Sequence, residues 1–490
     1  MPIARLLEHD AIPMHEDLEE SGQLVNGSAA RCIIFVSHQW LSRDHPDPDN
    51  VFFRSLKAIL RDIQSPLGIK DINAHFLDTA FFGELTLTGR ELRQATHVWL
   101  DYCSIPQRHK NRRQHRAAIQ SIVRFIEECS FFFVIAPDSM HADTRRVVDL
   151  RSWARRGWCR FECLMNFIAR EPRPMVSIES SSQRFMMHGR ECMLRPVGRG
   201  DFTLDKDCAA LAPMLAESIE AKIAHALAIG DLFTARFYQS IRHVMLEGFP
   251  FKIPVVETEL SAWLSDYCFP PDGSPGWTPL RYAAYEDNVA IVRQLARARA
   301  DVEAPIAVDR PDVGYHPAGM TILAGVCYVH GSESIIRELV HFRASVNRRC
   351  GSREETPLHF AARGGHLRAV KLLVELRADA PSQASAIFTA AMSGHKEVLM
   401  HLSALNADVN QVTEDDGTSV ASLCCAHSGD VDVLRELLRL GADPNVQSVA
   451  RTLARRAHHR ASQAMCYLQA QPSMFIDASA NAQGMAGLHW

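Results

Sequence analysis

One stretch constrains the C-terminal half of this chain more than any other. Residues 356–379 read TPLHFAARGGHLRAVKLLVELRAD. Thr356 suits a helix N-cap, because its hydroxyl can accept an exposed backbone N–H, and Pro357 suits the first helical position, where its missing N–H would have no partner. Leu358, Ala361 and Ala362 make a narrow apolar face. Gly365 can take the left-handed conformation that stops a helix, and Val370, Leu372 and Leu373 open a second apolar face. The spacing predicts two short helices joined by a tight turn. A lone hairpin of this kind cannot bury its own apolar face, so neighbours built the same way are required.

The sequence supplies them on both sides. Upstream stand Thr278, Pro279 and Leu280, with Ala283, Ala284 and a closing Ala300-Asp301; a weaker copy runs from Thr321 through Ile335, Ile336 and Leu339 to Ala344, Ser345, Val346 and Asn347. Downstream, Ala390, Ala391, Gly394, His395, Val398 and Ala407-Asp408-Val409-Asn410 repeat the pattern without its opening Thr-Pro. A last copy runs from Thr418 through Gly429, Asp430, Val433, Leu437 and Leu438 to Gly441, Ala442, Asp443, Pro444 and Asn445. The pattern strongly resembles the ankyrin repeat, a helical hairpin with a period of roughly 33 residues. That resemblance implies an all-α solenoid over residues 256–470, about five repeats with a capping helix at 453–468, interrupted by a proline-containing insertion at about 305–317. It also implies a partner protein bound by the solenoid surface. One departure stands out: where the family has the glycine of its GAD ending, this chain has Arg299, Arg343 and Arg377, and returns to glycine at Gly441. Stacked repeats superpose equivalent positions, so the three arginines are expected to form a protein-binding ridge or, in the plainer reading, a set of helix caps.

The 490 residues are enough for two or three domains, and 47% hydrophobic residues is an ordinary globular content. A net charge of −4 gives no overall bias toward nucleic acid, and the interleaved aromatic and basic residues of single-strand binders are absent. Thirteen cysteines without a CxxC pair suit free thiols in a reducing compartment, so a cytoplasmic location is expected. No apolar run approaches the ~20 residues of a membrane helix. Residues 1–30 read as a polar leader lying on a domain, and 471–490 as a flexible tail.

The N-terminal half has a different rhythm. Short apolar runs ending in polar loops predict buried strands at 31–40 (RCIIFVSHQW), 97–101 (HVWLD), 131–136 (FFFVIA) and 175–178. Between them lie helical stretches: Phe52 to Ile63, N-capped by Asn50; Ala118 to Ile126; and GWCRFECLMNFIAR. Alternation of this kind implies a parallel sheet covered on both faces. Ala118-Ile119 and Ser130 before the FFFVIAP strand, followed by Trp158-Cys159-x-x-Glu162, resemble a TIR domain over residues 31–180. The resemblance implies a flavodoxin-like fold. SHQW and residues 65–96 depart from that family. Two helical stripes at 205–250 predict a hairpin connecting this domain to the solenoid, so the whole reads as multidomain, α/β plus all-α.

The TIR resemblance also implies chemistry. Members that cleave NAD use a glutamate at the position of Glu162, where a carboxylate can stabilise positive charge building on the ribose as the nicotinamide leaves. Ser37, Asp101, Arg108, Arg156 and Trp158 are the accompanying candidates for holding NAD or phosphate. Two arginine-rich stretches, one with Arg108, Lys110, Arg112, Arg113 and Arg116 and one with Arg151, Arg155, Arg156 and Arg160, precede predicted helix starts, where anions are favoured. No bound cofactor and no metal are expected, since Cys159 and Cys163 lack further ligand spacing and His458-His459 reads as surface. The leading expectation is a signalling scaffold that binds a partner through its ankyrin surface and self-assembles through the TIR-like domain. The alternative is an NAD glycohydrolase regulated by the solenoid.

Overall fold

The computed structural model describes residues 1–25, 30–74, 79, 84–108, 112–249, 259–268, 276–310, 313–405, 407–413, 418–426 and 430–443. The expected capping helix at 453–468, the tail at 471–490, and Lys110, Gly429, Pro444, Asn445, His458 and His459 lie outside the described residues. The chain divides into two compact units, Met1–Pro254 with Pro311–Tyr315, and Val255–Arg310 with His316–Trp490.

The first unit holds a sheet of five strands: β1 (Ile33–His38), β2 (His97–Leu100), β3 (Phe131–Ile135), β4 (Met175–Ile178) and β5 (Arg184–Met187), in the order β2-β1-β3-β4-β5. β1 to β4 run parallel, and β5 adds an antiparallel edge that the sequence reading did not anticipate. Strand identity follows from burial on both faces, which demands continuous apolar runs. Phe35 pairs in register with Trp99 and Phe132, and its ring stacks on theirs at 4.6 and 5.1 Å. Ile34 and Val36 join a core with Phe52, Phe53, Leu56, Ile59, Leu60 and Ile63 of a helix at Val51–Gln64.

Several expectations are corrected here. The supposed polar leader forms two helices, α1 (Ile3–Glu8) and α2 (His15–Glu20), and sends Ile3, Leu6, Ile12 and Leu18 into that same core. Its acidic residues mask this apolar set, and backbone bonds from Ile3 N to Thr96 O and from Val98 N to Met1 O, 2.9 and 2.8 Å, tie it beside β2. The helix at Val51–Gln64, α3, is not capped by Asn50, which takes the left-handed conformation at φ 55°; the buried Asp47 carboxylate accepts from Val51 N and Phe53 N instead, at 2.8 and 2.7 Å. The helix expected over 118–126 is broken at Ser121 into α4 (Arg112–Gln120) and α5 (Ile122–Glu128). Next come α6 (Leu150–Arg155) and α7 (Gly157–Ile168). Cys163 on α7 is joined to Cys192 by a disulfide, against the expectation of free thiols throughout, because the turn at Gly189–Leu194 packs on α7 and brings the two Cα atoms to 6.3 Å. The expected connector, α8 (Asp205–Ala228) and α9 (Leu232–Met245), falls within this first unit, where Lys222 Nζ donates to Ala169 O at the end of α7, 2.8 Å.

Among the described residues, the second unit opens with α10 (Leu260–Asp266) and continues as five helix pairs: α11 (Pro279–Tyr285) with α12 (Val289–Arg297), α13 (Ile322–Val329) with α14 (Glu333–His341), α15 (Pro357–Gly364) with α16 (Leu367–Glu375), α17 (Ala380–Ser393) with α18 (Lys396–Ala404), and α19 (Val420–Ala426) with α20 (Val431–Arg439). First helices pack on first helices and second on second along the stack. Leu358, Ala361, Leu372 and Leu373 are buried there, and Gly365 and Gly394 end their helices in the left-handed conformation. Thr278 and Thr321 accept from Arg281 N and Ala324 N as N-caps. In the fourth and fifth pairs, Asp379 and Ser419 take that role, accepting from Ser382 N and Ser422 N at 2.8 and 3.1 Å.

Two ladders join consecutive repeats. His330, His366 and His395 each donate through Nε2 to a carbonyl at the end of the preceding first helix, Ala284, Tyr328 and Arg363, at 3.0, 3.2 and 3.0 Å. These carbonyls lie in the last turns of their helices, where intrahelical donors run out, and each histidine supplies a donor there from the next repeat. On another edge, Glu303, Asn347 and Asn410 accept from Ser345 N, Asp379 N and Asp443 N of the following repeat at 2.5, 2.9 and 2.7 Å. The insertion after the first repeat is held by Arg281, which is fully buried and donates to the carbonyls of Gly276, Ala304, Met320 and Thr321.

Candidate functional site

In the α/β unit, the carboxyl-terminal ends of β1 and β2 bring four side chains together. Successive residues of a strand face opposite sides of the sheet, so Ser37 and His38 at the end of β1 reach different partners. Ser37 Oγ donates to Glu162 Oε2 of α7 at 2.5 Å and accepts from Trp153 Nε1 of α6 at 2.9 Å. His38 stacks on Phe52 of α3 and donates through Nε2 to Asp101 Oδ1, immediately after β2, at 2.9 Å. Trp40 Nε1 and Tyr102 N also donate to the Asp101 carboxylate, at 2.9 and 2.6 Å. Cys159 Sγ, one turn before Glu162 on α7, donates to His38 O at 3.6 Å.

The electrostatics follow from this packing. Burial pushes the Glu162 carboxyl up to about 8; the Ser37 hydrogen bond pulls the other way, and the Asp101 charge adds to the rise. Near neutral pH Glu162 therefore carries its proton. Burial raises Asp101 as well, but His38 and the two donors outweigh it and hold the carboxyl below its ordinary value. For His38 burial opposes protonation, and Asp101 more than reverses that, so its pKa lies above the usual histidine range. One acid is thus kept neutral beside another kept ionised, an arrangement suited to a proton donor working next to a fixed negative charge. His38 Nδ1 is buried with no partner among the described residues.

Ser37, Asp101 and Glu162, picked out from the sequence, meet here. The other three do not. Arg108 is drawn to the acidic face of α2, pairing with Asp17 and Glu20 at 3.1 Å each, while its backbone N–H donates to Glu16. Arg156 donates to Thr203 Oγ1 at 2.7 Å, and Trp158 Nε1 to Asp207 Oδ2 of α8 at 3.2 Å. Two arginines of the second arginine-rich stretch are likewise engaged within the protein. Arg151 pairs with Asp149, and Arg160 bonds the carbonyls of Ala154 and Pro196, with burial drawing its pKa down to about 10. His38, Trp40 and Trp153 were missed, although the polar ending of the first apolar run, SHQW, contains two of them. A narrow crevice lies at the adjoining ends of β1 and β3, lined by Gln39, Leu41, Phe52, Pro137, Ser139 and Asp149. Among the described residues no group of three or more metal-ligating side chains gathers to hold an ion. No described helix is long and apolar enough to cross a membrane.

In the solenoid, Arg299, Arg343 and Arg377 occupy equivalent positions two residues beyond α12, α14 and α16, all exposed and all left-handed, with φ 63°, 74° and 70°. Gly441 holds the same place after α20 at φ 90°.

Known proteins resemble this chain through its repeats. The ankyrin repeat family matches residues 275–306 and 420–449, and the family of ankyrin repeats in many copies matches 324–374. An ankyrin repeat and KH domain-containing protein, mask-1, of Caenorhabditis elegans is 33% identical over 104 residues, which is 21% of this chain and 4% of that one. A counterpart in Caenorhabditis briggsae is 30% identical over 125 residues, 25% of this chain and 5% of that protein. An ankyrin repeat, SAM and basic leucine zipper domain-containing protein of Dasypus novemcinctus is 36% identical over 108 residues, 21% of this chain and 20% of that one. The chain thus spans a small part of each of these relatives. Among solved structures, the human ASB11 ankyrin repeat domain is 22% identical, covering 34% of this chain and 72% of that one with a TM-score of 0.29. The C-terminal half of the chain is built of ankyrin repeats.

Proposed function

We propose that this chain is an intracellular scaffold whose ankyrin repeats capture a partner protein and whose α/β unit, read as TIR-like, couples that capture to assembly or signalling. Ankyrin repeats imply a protein-interaction role. The observation that carries the reading is the division of labour within each repeat. Caps, ladders and buried Leu and Ala positions are repeated, while the exposed second residue of the second helix is Ala290, Ser334, Arg368, Glu397 and Asp432 in successive copies. A surface that varies on a fixed frame is what selective recognition needs. For the TIR-like unit, support comes from the order 2-1-3-4 of its parallel strands, shared with flavodoxin-like sheets, and from the WCxxE motif opening α7. The antiparallel β5 and the distant Trp158 count against it. The test is saturable binding of a purified partner, first recovered by the immobilised full chain, and its competition by free chain. Failure to find any saturable partner contradicts the reading.

A second reading, hydrolysis of NAD, is favoured by one observation: Glu162 and an ionised Asp101 gather at the strand ends, where a fixed negative charge can stabilise positive charge building on a ribose. Nicotinamide leaves NAD as a neutral molecule and takes no proton, so Glu162 would hold a ribose hydroxyl, and Asp101 with His38 would fix the local charge. Release of nicotinamide by the purified chain, abolished in Glu162→Gln, supports this reading. Absence of release, or an unchanged rate in the variant, removes it.

A further inference from the structure

We propose that Arg299, Arg343 and Arg377 form a recognition ridge for an acidic, extended protein segment, with carboxylates spaced three residues apart. The inference rests on the partner-capture reading above and names the chemistry of the partner.

The backbone after each second helix must be left-handed, a conformation that suits glycine and strains a residue with a Cβ. Gly441 meets the demand without strain, yet the equivalent position holds arginine in three consecutive repeats, with positive φ at each. Compensation of the helix dipole does not account for Arg299 and Arg343. α12 and α14 already carry a basic residue in their last turn, Arg297 and His341, which answers the negative end of the helix dipole. None of the three guanidinium groups bonds a helix carbonyl or pairs with a carboxylate among the described residues. Other exposed arginines of the same helices behave differently: Arg293 pairs with Glu338, and Arg337 lies between Glu333 and Glu375.

The ridge is also held in register. Glu303 grips Ser345 N, and Asn347 both donates to Arg377 O and accepts from Asp379 N, at 3.2 and 2.9 Å, so the turns carrying Arg343 and Arg377 are each tied to the preceding repeat. Packed helices stand about 8–10 Å apart, which sets the interval between successive arginines. A polyproline-II segment has three residues per turn and rises ~3.1 Å per residue, bringing residues i, i+3 and i+6 to one side at about 9 Å intervals. Glutamates or aspartates at that spacing meet the three arginines one to one. Nucleic acid fits less well. Its phosphates come every ~3.4 Å along a strand, so a single column of cations this sparse leaves most of them unanswered, and the chain as a whole is acidic, with net charge −4.

The test uses the full chain and fluorescence anisotropy with three labelled probes: a proline-rich peptide with glutamate at every third position, the same peptide with glutamine there, and a single-stranded oligonucleotide. The glutamate peptide should bind, the glutamine peptide should not, and added salt should weaken binding because exposed charges are screened. Exposed ion pairs are individually weak, so replacing all three arginines by glycine should weaken binding about tenfold. Glycine suits the left-handed turn, so this variant should melt no lower than the parent, which separates lost recognition from lost folding. Equal binding of the glutamate peptide by parent and variant overturns the ridge, as does no peptide binding at all or tighter binding of the oligonucleotide. A partner protein that binds parent and variant equally also overturns the ridge while leaving the capture reading intact.

Discussion

The two units close their structures over very different lengths of chain. In the solenoid, His366 reaches Tyr328 across 38 residues and Asn347 reaches Arg377 across 30, so each tie spans about one repeat. In the α/β unit, Ser37 meets Glu162 across 125 residues and His38 meets Asp101 across 63. A repeat therefore needs only its neighbours, whereas the sheet's site exists only when several distant segments are in place together. Stability should consequently fail locally in one unit and cooperatively in the other.

The sharpest way to break this comparison is a pair of core truncations. Leu372→Ala should cost roughly 2–5 kcal/mol and Phe35→Ala roughly 3–5 kcal/mol, the usual ranges for such cavities. Hydrogen exchange should then show protection lost around α16 and grading away along the flanking repeats in the first variant. In the second, β1, β2 and β3 should lose protection as one block. Uniform loss along the solenoid, or loss confined to β1, would contradict the distinction.

Proton linkage sharpens it further, because the two units should respond to pH with opposite sign. His359 Nδ1 accepts from Thr356 N, and its Nε2 faces Ser385 Oγ at 2.8 Å; burial draws the ring's pKa down to about 4 from 6.5. Above 6.5 the ring is neutral folded or unfolded. As pH falls from 6.5 to about 4 only the unfolded chain gains the proton, so the solenoid should lose up to roughly 3 kcal/mol. Glu162 works the other way. Below 4.5 it is protonated in both states, and as pH rises from 4.5 to about 8 only the unfolded chain releases the proton, so the α/β unit should weaken with rising pH. Exchange measured at pH 5 and pH 8 in each unit checks both signs, and His359→Gln and Glu162→Gln should flatten the respective slopes.

The smallest expected effects lie on the ladder. Asn347→Ala removes two inter-repeat bonds and should cost about 1 kcal/mol, while Arg343→Gly relieves left-handed strain and should stabilise by about 1 kcal/mol, both read from urea unfolding.

These differences also explain what could be read from the sequence. Caps, turn glycines and buried leucines of the repeats are local and recur, so Thr278, Gly365 and Leu372 announce their roles. Arg281 did not, because its carbonyl partners lie across an insertion that follows no period. In the α/β unit the apolar runs revealed the four parallel strands, but α1 and α2 were hidden by acidic residues that surround a few buried apolar ones. Glu162 and Asp101 were legible through a motif and a strand end. Their complement, Trp153 and His38, depends on helix–strand packing that no spacing encodes.

The central claim is that recognition belongs to the solenoid and the carboxyl site to the α/β unit. Partner binding by the full chain, titrated in parallel for Leu372→Ala and Glu162→Gln, tests it most directly. The account predicts that Leu372→Ala loses the partner while Glu162→Gln binds as the parent does; loss in Glu162→Gln with binding retained in Leu372→Ala would contradict it.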